Sequence, residues 1–244
     1  MADATPWYRN ELIGFDLETT GVDRFNDVPV SFALVTVKDG QVVHREAGLV
    51  DPGRPIPEGA TAVHGITDEQ VRAEGRPLEE VIELLADSLV EASVYGVPVV
   101  GMKLDYDLTM LDNQCLRLDE RGLPERGFAA PVIDVLVLDR HVDRYRKGKR
   151  TLVELCATYG VVIDHAHDAV ADAVAAMGVL GALCEQYPEI TGMSPADLHR
   201  AQVDWHLEWA TSYDEWRRDR GMSPLDPRDF RWPFPGEEDM AGAA

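Results

Sequence analysis

Residues 13–21, Ile-Gly-Phe-Asp-Leu-Glu-Thr-Thr-Gly, constrain the fold more tightly than any other stretch of this 244-residue chain. Leu12, Ile13, Phe15 and Leu17 supply the apolar approach of a buried strand, and Thr-Thr-Gly ends it in a turn. Residues two apart on a strand share a face, so Asp16 and Glu18 project together. Two carboxylates side by side repel, and one of them is driven to hold a proton. A divalent cation removes that cost, and hard oxygen ligands suit Mg²⁺ or Mn²⁺. The competing reading of the pair by itself is a solvated strand end with two incidental acids. Acids further along the chain decide between the two.

Residues 30–37 and 41–50 are apolar or β-branched runs joined by Lys38-Asp39-Gly40, and Asp-Gly between such runs signals a hairpin. Three strands thus open the chain as an antiparallel meander. Three prolines in residues 51–57 make an extended loop. Thr67, with Asp68, Glu69 and Gln70 behind it, has the form of a helix N-cap and acidic first turn. Pro77 opens a helix whose Val81, Leu84, Leu85 and Leu89 recur at helical spacing. Short buried strands are expected at 97–101 and 131–135. Between them runs a helix with Leu104, Leu108, Leu111, Cys115 and Leu118 on one face, and helices follow near 151–159 and 169–186. Strands first, then helix–strand alternation, predicts an α/β fold with a mixed five-stranded sheet flanked by helices.

The composition changes near residue 191. Four of the five tryptophans (Trp205, Trp209, Trp216 and Trp232) lie beyond it, and Trp205, Trp209, Tyr213 and Trp216 are spaced as one stripe on a helix. Apolar faces are usually buried by their own chain, so the stripe is expected to pack on the domain core, with a dimer or partner contact as the competing reading. Residues 1–190 are thus expected to form one domain and 191–244 a helical, Trp-rich extension with an irregular end, frayed over 236–244.

Forty-four Asp and Glu against 23 Lys and Arg give a formal charge of −21. That excludes a protein gripping nucleic acid by non-specific electrostatics, though not an enzyme that takes a nucleic-acid end through metals and a local basic strip. One strip exists: Arg140, Arg144, Arg146, Lys147, Lys149 and Arg150 fall within eleven residues. A solvated loop explains it equally well. The three cysteines lack metal-site spacing and read as reduced core thiols. No apolar run of membrane-spanning length and no basic-then-apolar leader is legible, so the chain is expected to be cytoplasmic.

Two further acids occupy telling places. Asp107 stands just after a strand, in the first turn of a helix, beside the apolar face headed by Leu108. Asp172 begins an alanine-rich helix that can approach the sheet closely. His167 lies five residues earlier, roughly 140° away if helical, so it is placed on the preceding loop, over the same site. Phe-Asp-Leu-Glu-Thr-Thr-Gly, then Tyr-Asp before a helix, then His-x-x-x-x-Asp, resembles the DEDDh family of 3′→5′ exonucleases, which are similar to the proofreading subunit of bacterial replicases. The resemblance covers residues 11–187 in order, and includes His64-Gly65-Ile66-Thr67 and the Lys149–Leu152 lead-in.

The resemblance implies a ribonuclease H-like fold in which Asp16, Glu18, Asp107 and Asp172 hold two Mg²⁺ or Mn²⁺ ions and His167 is the general base. The chemistry is coherent, since two divalent ions neutralise four carboxylates and a histidine can accept a proton near neutral pH. It further implies that the backbone at Leu17 and Thr19, with His64 and Ile66, lies near a terminal nucleotide, and that Tyr106 can stack on a base. The implied partners are nucleic acid 3′ ends, preferably single-stranded, with a homodimer or a polymerase or repair partner beyond them. Met102 and Lys103 stand where the family often has His-Asn, and Lys103 is read as a phosphate contact or as a side chain that snorkels outward. Asp107 is preferred to Asp105 because Tyr106 fits the aromatic place before the family's aspartate, and Asp105 suits a helix cap. Two other readings compete. One is a phosphatase with Asp16 as nucleophile, which leaves Asp107, His167 and Asp172 unexplained. The other is an inactive exonuclease-like module that recruits a partner through its Trp-rich helix.

Overall fold

A computed structural model describes residues 5–164 and 166–235. Strands β1 (Leu12–Thr19), β2 (Pro29–Lys38) and β3 (Gln41–Asp51) form the expected antiparallel meander, with Asp16 opposite Ala33 and Glu18 opposite Ser31. Helices α1 (Glu58–His64) and α2 (Asp68–Glu74) follow, and Thr67 and Gln70 complete a capping box at the start of α2. Strand β4 is the dipeptide Arg76–Pro77, and α3 runs over Leu78–Tyr95. Strand β5 (Val99–Gly101) leads into α4 (Leu104–Asp119), and α5 (Leu123–Arg126) precedes β6 (Val132–Asp134). Then come α6 (Val135–Val142), α7 (Leu152–Tyr159), α8 (Ala169–Gln186), α9 (Pro188–Thr191) and α10 (Pro195–Arg218).

The sheet order is β4-β3-β2-β1-β5-β6. Strands β5 and β6 run parallel to β1, and β4 runs parallel to β3. The sheet is mixed as expected, but it has six strands rather than five. The extra strand is two residues long, too short to leave a periodic signal, and it exists only because α2 returns the chain to the β3 edge. The β-rich residues 161–163 form no strand and link α7 to α8.

Strand alternation sorts the two faces. Phe15 and Leu17 join Leu85, Leu89, Leu108 and Leu111 of α3 and α4 in one core, while Leu12, Ala33 and Val35 join Ala173, Ala176 and Leu180 of α8 in the other. Asp16 and Glu18 share the Leu12 face, beneath α8. Gly14 is on that face too. A Cβ there would stand 3.2 Å from the Ala173 carbonyl oxygen and 3.3 Å from Met177 Cγ, so the missing side chain lets α8 lie directly on β1. Helix α8 is also the one described helix apolar and long enough to cross a membrane, with a mean hydropathy of 1.3 over 18 residues. This corrects the expectation that no such run exists. Its apolar residues fill the second core instead.

Helix α10 closes the β6 edge of the sheet. The buried Gln202 amide accepts from the Asp134 N–H at 2.8 Å and donates to the Val132 carbonyl at 3.0 Å, while His199 Nδ1 accepts from the Val132 N–H. An exposed strand edge invites pairing with other chains, and these side chains occupy it. Trp205 packs against both cores and stacks on His141, with ring centroids 3.7 Å apart. Residues beyond α10 fold back: Asp214 accepts from the Leu225 N–H, His206 Nε2 meets the Asp229 carbonyl at 2.9 Å, and Trp232 is buried in the first core. Part of the aromatic stripe therefore does pack on the domain. The expected fraying over 236–244 lies outside the described residues.

Candidate active site

Strand β1 delivers Asp16 and Glu18 to the end of the sheet where β5 also stops, and the first turn of α4 brings Asp107 to the same end. Asp107 is buried, and its Oδ1 accepts the Leu17 N–H at 3.1 Å. The acid from α4 is thus bonded to the backbone between the two strand acids. From the other side α8 contributes Asp172. His167 precedes it on the loop with φ of 68°, an uncommon left-handed conformation for a non-glycine residue. Its N–H donates to Asp172 Oδ2 at 3.3 Å. One ligand atom each from Glu18, His167 and Asp172 lie within 4.8 Å of one another. Asp168 caps α8 by accepting the Ala171 N–H.

The electrostatics mark these acids as under-neutralised. Burial, then the charges of Asp107, Asp172 and Glu18, push Asp16 well above the usual carboxylate range. Burial, then Asp172 and Asp168, raise Glu18 to about 7. Asp107 is also raised well above its usual value by burial and Asp105, against the opposing pull of the Leu17 N–H. Burial raises Asp172, and its Oδ1 is buried without a hydrogen-bond partner. A bound cation would reverse every one of these shifts. Four oxygen-donor side chains with one buried oxygen unpaired fit a hard divalent ion.

The other sequence-derived residues surround this cluster. The Tyr106 hydroxyl donates to the Gly21 carbonyl and lies 3.1 Å from Thr19 Oγ1, which ties the turn after β1 to α4. Lys103 Nζ sits 5.2 Å from the Tyr106 ring centroid, so it caps that ring. His64 ends α1, where its Nδ1 accepts the Ile66 N–H at 3.0 Å and its ring also faces the Thr19 backbone. Burial chiefly lowers its pKa, and the charge of nearby His167 adds to this. Ile66 packs with Val30, Ile56 and Val71. Leu17 is buried and Thr19 nearly so.

One expectation is corrected, and one open reading is narrowed. Asp105 does not cap α4: the N-cap is Lys103, in a left-handed conformation. The carboxylate that accepts the Lys103 and Leu104 N–H groups belongs to Asp134, 30 residues on. Asp105 instead pairs with Arg24, which also holds Asp229. The basic strip is not a uniform phosphate surface either, because Arg146 and Arg150 both bond to the fully buried Asp139. Sequence reading missed Asp134 and Gly14. The available signals were an acid ending a short strand directly before a helix, and a glycine two residues before a strand acid on the same face.

A mixed sheet with three carboxylates at the end of its central strands, faced by a fourth acid from a covering helix and a histidine from the loop before it, has the arrangement of a ribonuclease H-like fold. Residues 13–180 match the exonuclease family RNase_T, and the chain belongs to that family. It is 32% identical over 187 residues, 75% of its length, to the PolC-type DNA polymerase III of Lacticaseibacillus paracasei, but spans only 12% of that relative. Escherichia coli exonuclease I, solved in complex with a dA16 oligonucleotide, superimposes with a TM-score of 0.65 over 81% of this chain and 44% of that one, at 18% identity. Exonuclease X in complex with 5′-overhanging duplex DNA gives a TM-score of 0.55 at 22% identity, covering 78% of this chain and 98% of that one. At such identities the likeness to both structures is one of fold.

Proposed function

We propose that this protein is a metal-dependent 3′→5′ exonuclease that hydrolyses phosphodiester bonds at single-stranded 3′ ends and releases nucleoside 5′-monophosphates. The observation that carries the reading is the convergence of Asp16, Glu18, Asp107 and Asp172, each raised in pKa by burial and neighbouring acids, beneath a loop histidine. The four carboxylates would hold two Mg²⁺ or Mn²⁺ ions, which supply charge stabilisation for the attacking and leaving oxygens. His167 takes the proton of the attacking water from its place beside Asp172. The buried Leu17 backbone and Thr19 floor the terminal nucleotide, with His64 at its side. Residues 1–190 act as the catalytic domain and 191–244 as the extension that braces it. The E. coli exonuclease I structure with dA16 favours single-stranded DNA as substrate, and the polymerase III relatives favour a trimming role near a replicase in the cytoplasm.

The test is digestion of 5′-labelled DNA and RNA oligonucleotides, single-stranded and duplex, with Mg²⁺, Mn²⁺ or excess chelator. A ladder shortening from the 3′ end with metal, and none with chelator, is the expected result. Full turnover in chelator, or products released from the 5′ end, would overturn the reading.

A further inference from the structure

The aromatic residues of α10 that do not enter the core form a column of their own. Trp209 stacks on Tyr213 at 5.2 Å between centroids and 17° between planes, and Tyr213 stacks on Trp216 at 5.6 Å and 18°. Separations of this size are offset stacks, in which each ring leaves part of its face uncovered. Trp216 is 43% exposed, more than a side chain packed on a core would be. Guanidinium groups accompany the column: Arg140 lies 3.4 Å over Trp209, Arg217 5.7 Å from Tyr213 and Arg220 4.2 Å from Trp216.

The column walls a groove of about 710 Å³ that Arg144 and Glu208 also line. Arg140 and Trp209 belong equally to a second groove, which continues to Lys103 and Tyr106. Tyr106 is bonded to Gly21 and lies beside Thr19, one turn residue from the strand acids. The two grooves share Arg140 and Trp209, and together they extend from Lys103 and Tyr106 to Trp216. Four acids line the second groove: Asp105 and Asp229 pair with Arg24, Asp226 pairs with Arg228, and Asp23 accepts from the Phe25 N–H and the Asn26 side chain. In a chain of formal charge −21, arginines gathered against one aromatic column favour a polyanion with flat, stackable groups.

We propose that the Trp209–Tyr213–Trp216 column is a stacking platform for single-stranded nucleic acid, holding nucleotides upstream of the 3′ end that enters the carboxylate site. The proposal rests on the nuclease reading for its direction, since the 3′ end must lie at the acids. Aromatic faces accept any base, so the platform contributes affinity and grip without sequence preference.

The test compares oligo(dT) of about 4 and about 16 nucleotides, a span taken from known single-strand sites. Affinity is read by anisotropy of a 5′ fluorophore in chelator, and KM and kcat are read with Mn²⁺, for the full chain and for Trp216→Ala, Tyr213→Ala and Trp216→Phe. Each alanine variant is expected to weaken the long oligonucleotide about 5- to 150-fold, the equivalent of one lost base stack. The short one should change far less, and Trp216→Phe should retain most of the long-oligonucleotide affinity. The long-substrate loss should appear in KM rather than kcat. Melting curves identify any variant that has lost its fold, in which case the other alanine variant carries the test. Equal effects on both lengths, or none on either, would overturn the platform. So would a wild-type dimer that dissociates in the alanine variants with oligonucleotide affinity intact, because the column would then be an interface between copies. Length-dependent binding without cleavage would leave the platform standing and sink the nuclease reading, while cleavage without length dependence would do the reverse.

Discussion

One buried acid and one partly buried cluster of acids in this protein meet opposite fates. Asp139 has no exposed surface, and it bonds to Arg146, Arg150 and the Tyr159 hydroxyl. Asp16, Glu18, Asp107 and Asp172 face one another instead, and their mutual repulsion adds to the cost of their burial. The chain itself neutralises the first acid, and on the proposed reading a cation from outside neutralises the second set. A buried charge bonded to two guanidiniums holds a loop in place, whereas a partly buried cluster of like charges marks a candidate site. The two can be told apart by what each loses on mutation.

The largest effect is expected at Asp16. Asp16→Ala should reduce nuclease turnover to background, yet leave the metal-free melting temperature unchanged or higher, because it removes a repelled charge. A folded variant with near-wild-type turnover would erase the contrast. His167→Asn should follow, with a loss of about 10²- to 10⁴-fold in kcat, the usual worth of a general base. Because a His167 ring nitrogen lies within the 4.8 Å cluster, the variant also separates two roles. A retained metal-induced rise in melting temperature supports a base, and loss of that rise together with activity would make His167 a ligand.

Asp139→Ala should do the opposite of Asp16→Ala. Removing one partner of a buried ion pair costs about 3–5 kcal/mol, and the low end applies because Arg146 and Arg150 keep 17% and 15% of their side-chain surface exposed. Turnover per folded molecule should stay near wild type. Abolished turnover with unchanged stability would place Asp139 among the working acids.

The smallest effect is one of pH, and its sign differs between regions. The site carboxylates have raised pKa values in the folded state, Glu18 at about 7. Their contribution to stability is therefore complete below the ordinary carboxylate range and is lost as the pH rises through 7. His199 and His206 on α10 are lowered by burial, so their contribution is complete above the ordinary histidine range and is lost as the pH falls below it. In chelator the melting temperature should decline toward pH 8. Mg²⁺ should restore it there and do little near pH 5. A Mg²⁺ effect independent of pH would break the link between the cation and these acids.

Much of the site was legible because its signals are local. Strand alternation alone puts Asp16 and Glu18 on one face, and a first-turn position alone aims Asp107 at the strand end. A five-residue separation is enough to set His167 on the loop before Asp172. Thr67 and Gln70 announce their helix within four residues. The aromatic spacing of α10 was equally plain, yet it could not say that Trp205 would turn into the core while Trp209, Tyr213 and Trp216 would stack on one another. That choice depends on His141 and Arg140, which arrive from α6. The basic strip was left open for the same reason, since Asp139 directly precedes it in the chain but is identified as the partner of Arg146 and Arg150 only by burial.

By itself the sequence determined the order of the main strands and helices and the pairing of the strand acids, because each follows from a period or a cap spanning a few residues, while Asp107, Asp172 and His167 were singled out with them by the resemblance to an exonuclease family. The resemblance preferred Asp107 to Asp105, and tertiary structure supplies the physical reason. Arg24 and Asp229 draw Asp105 into an ion pair, while the Leu17 N–H takes Asp107. Tertiary structure also decided that Asp134 would cap α4 and that Gln202 would close the β6 edge. Both join groups 30 or more residues apart, and hydrogen-bond partners at that range are chosen by how helices pack on the sheet. No local pattern encodes that.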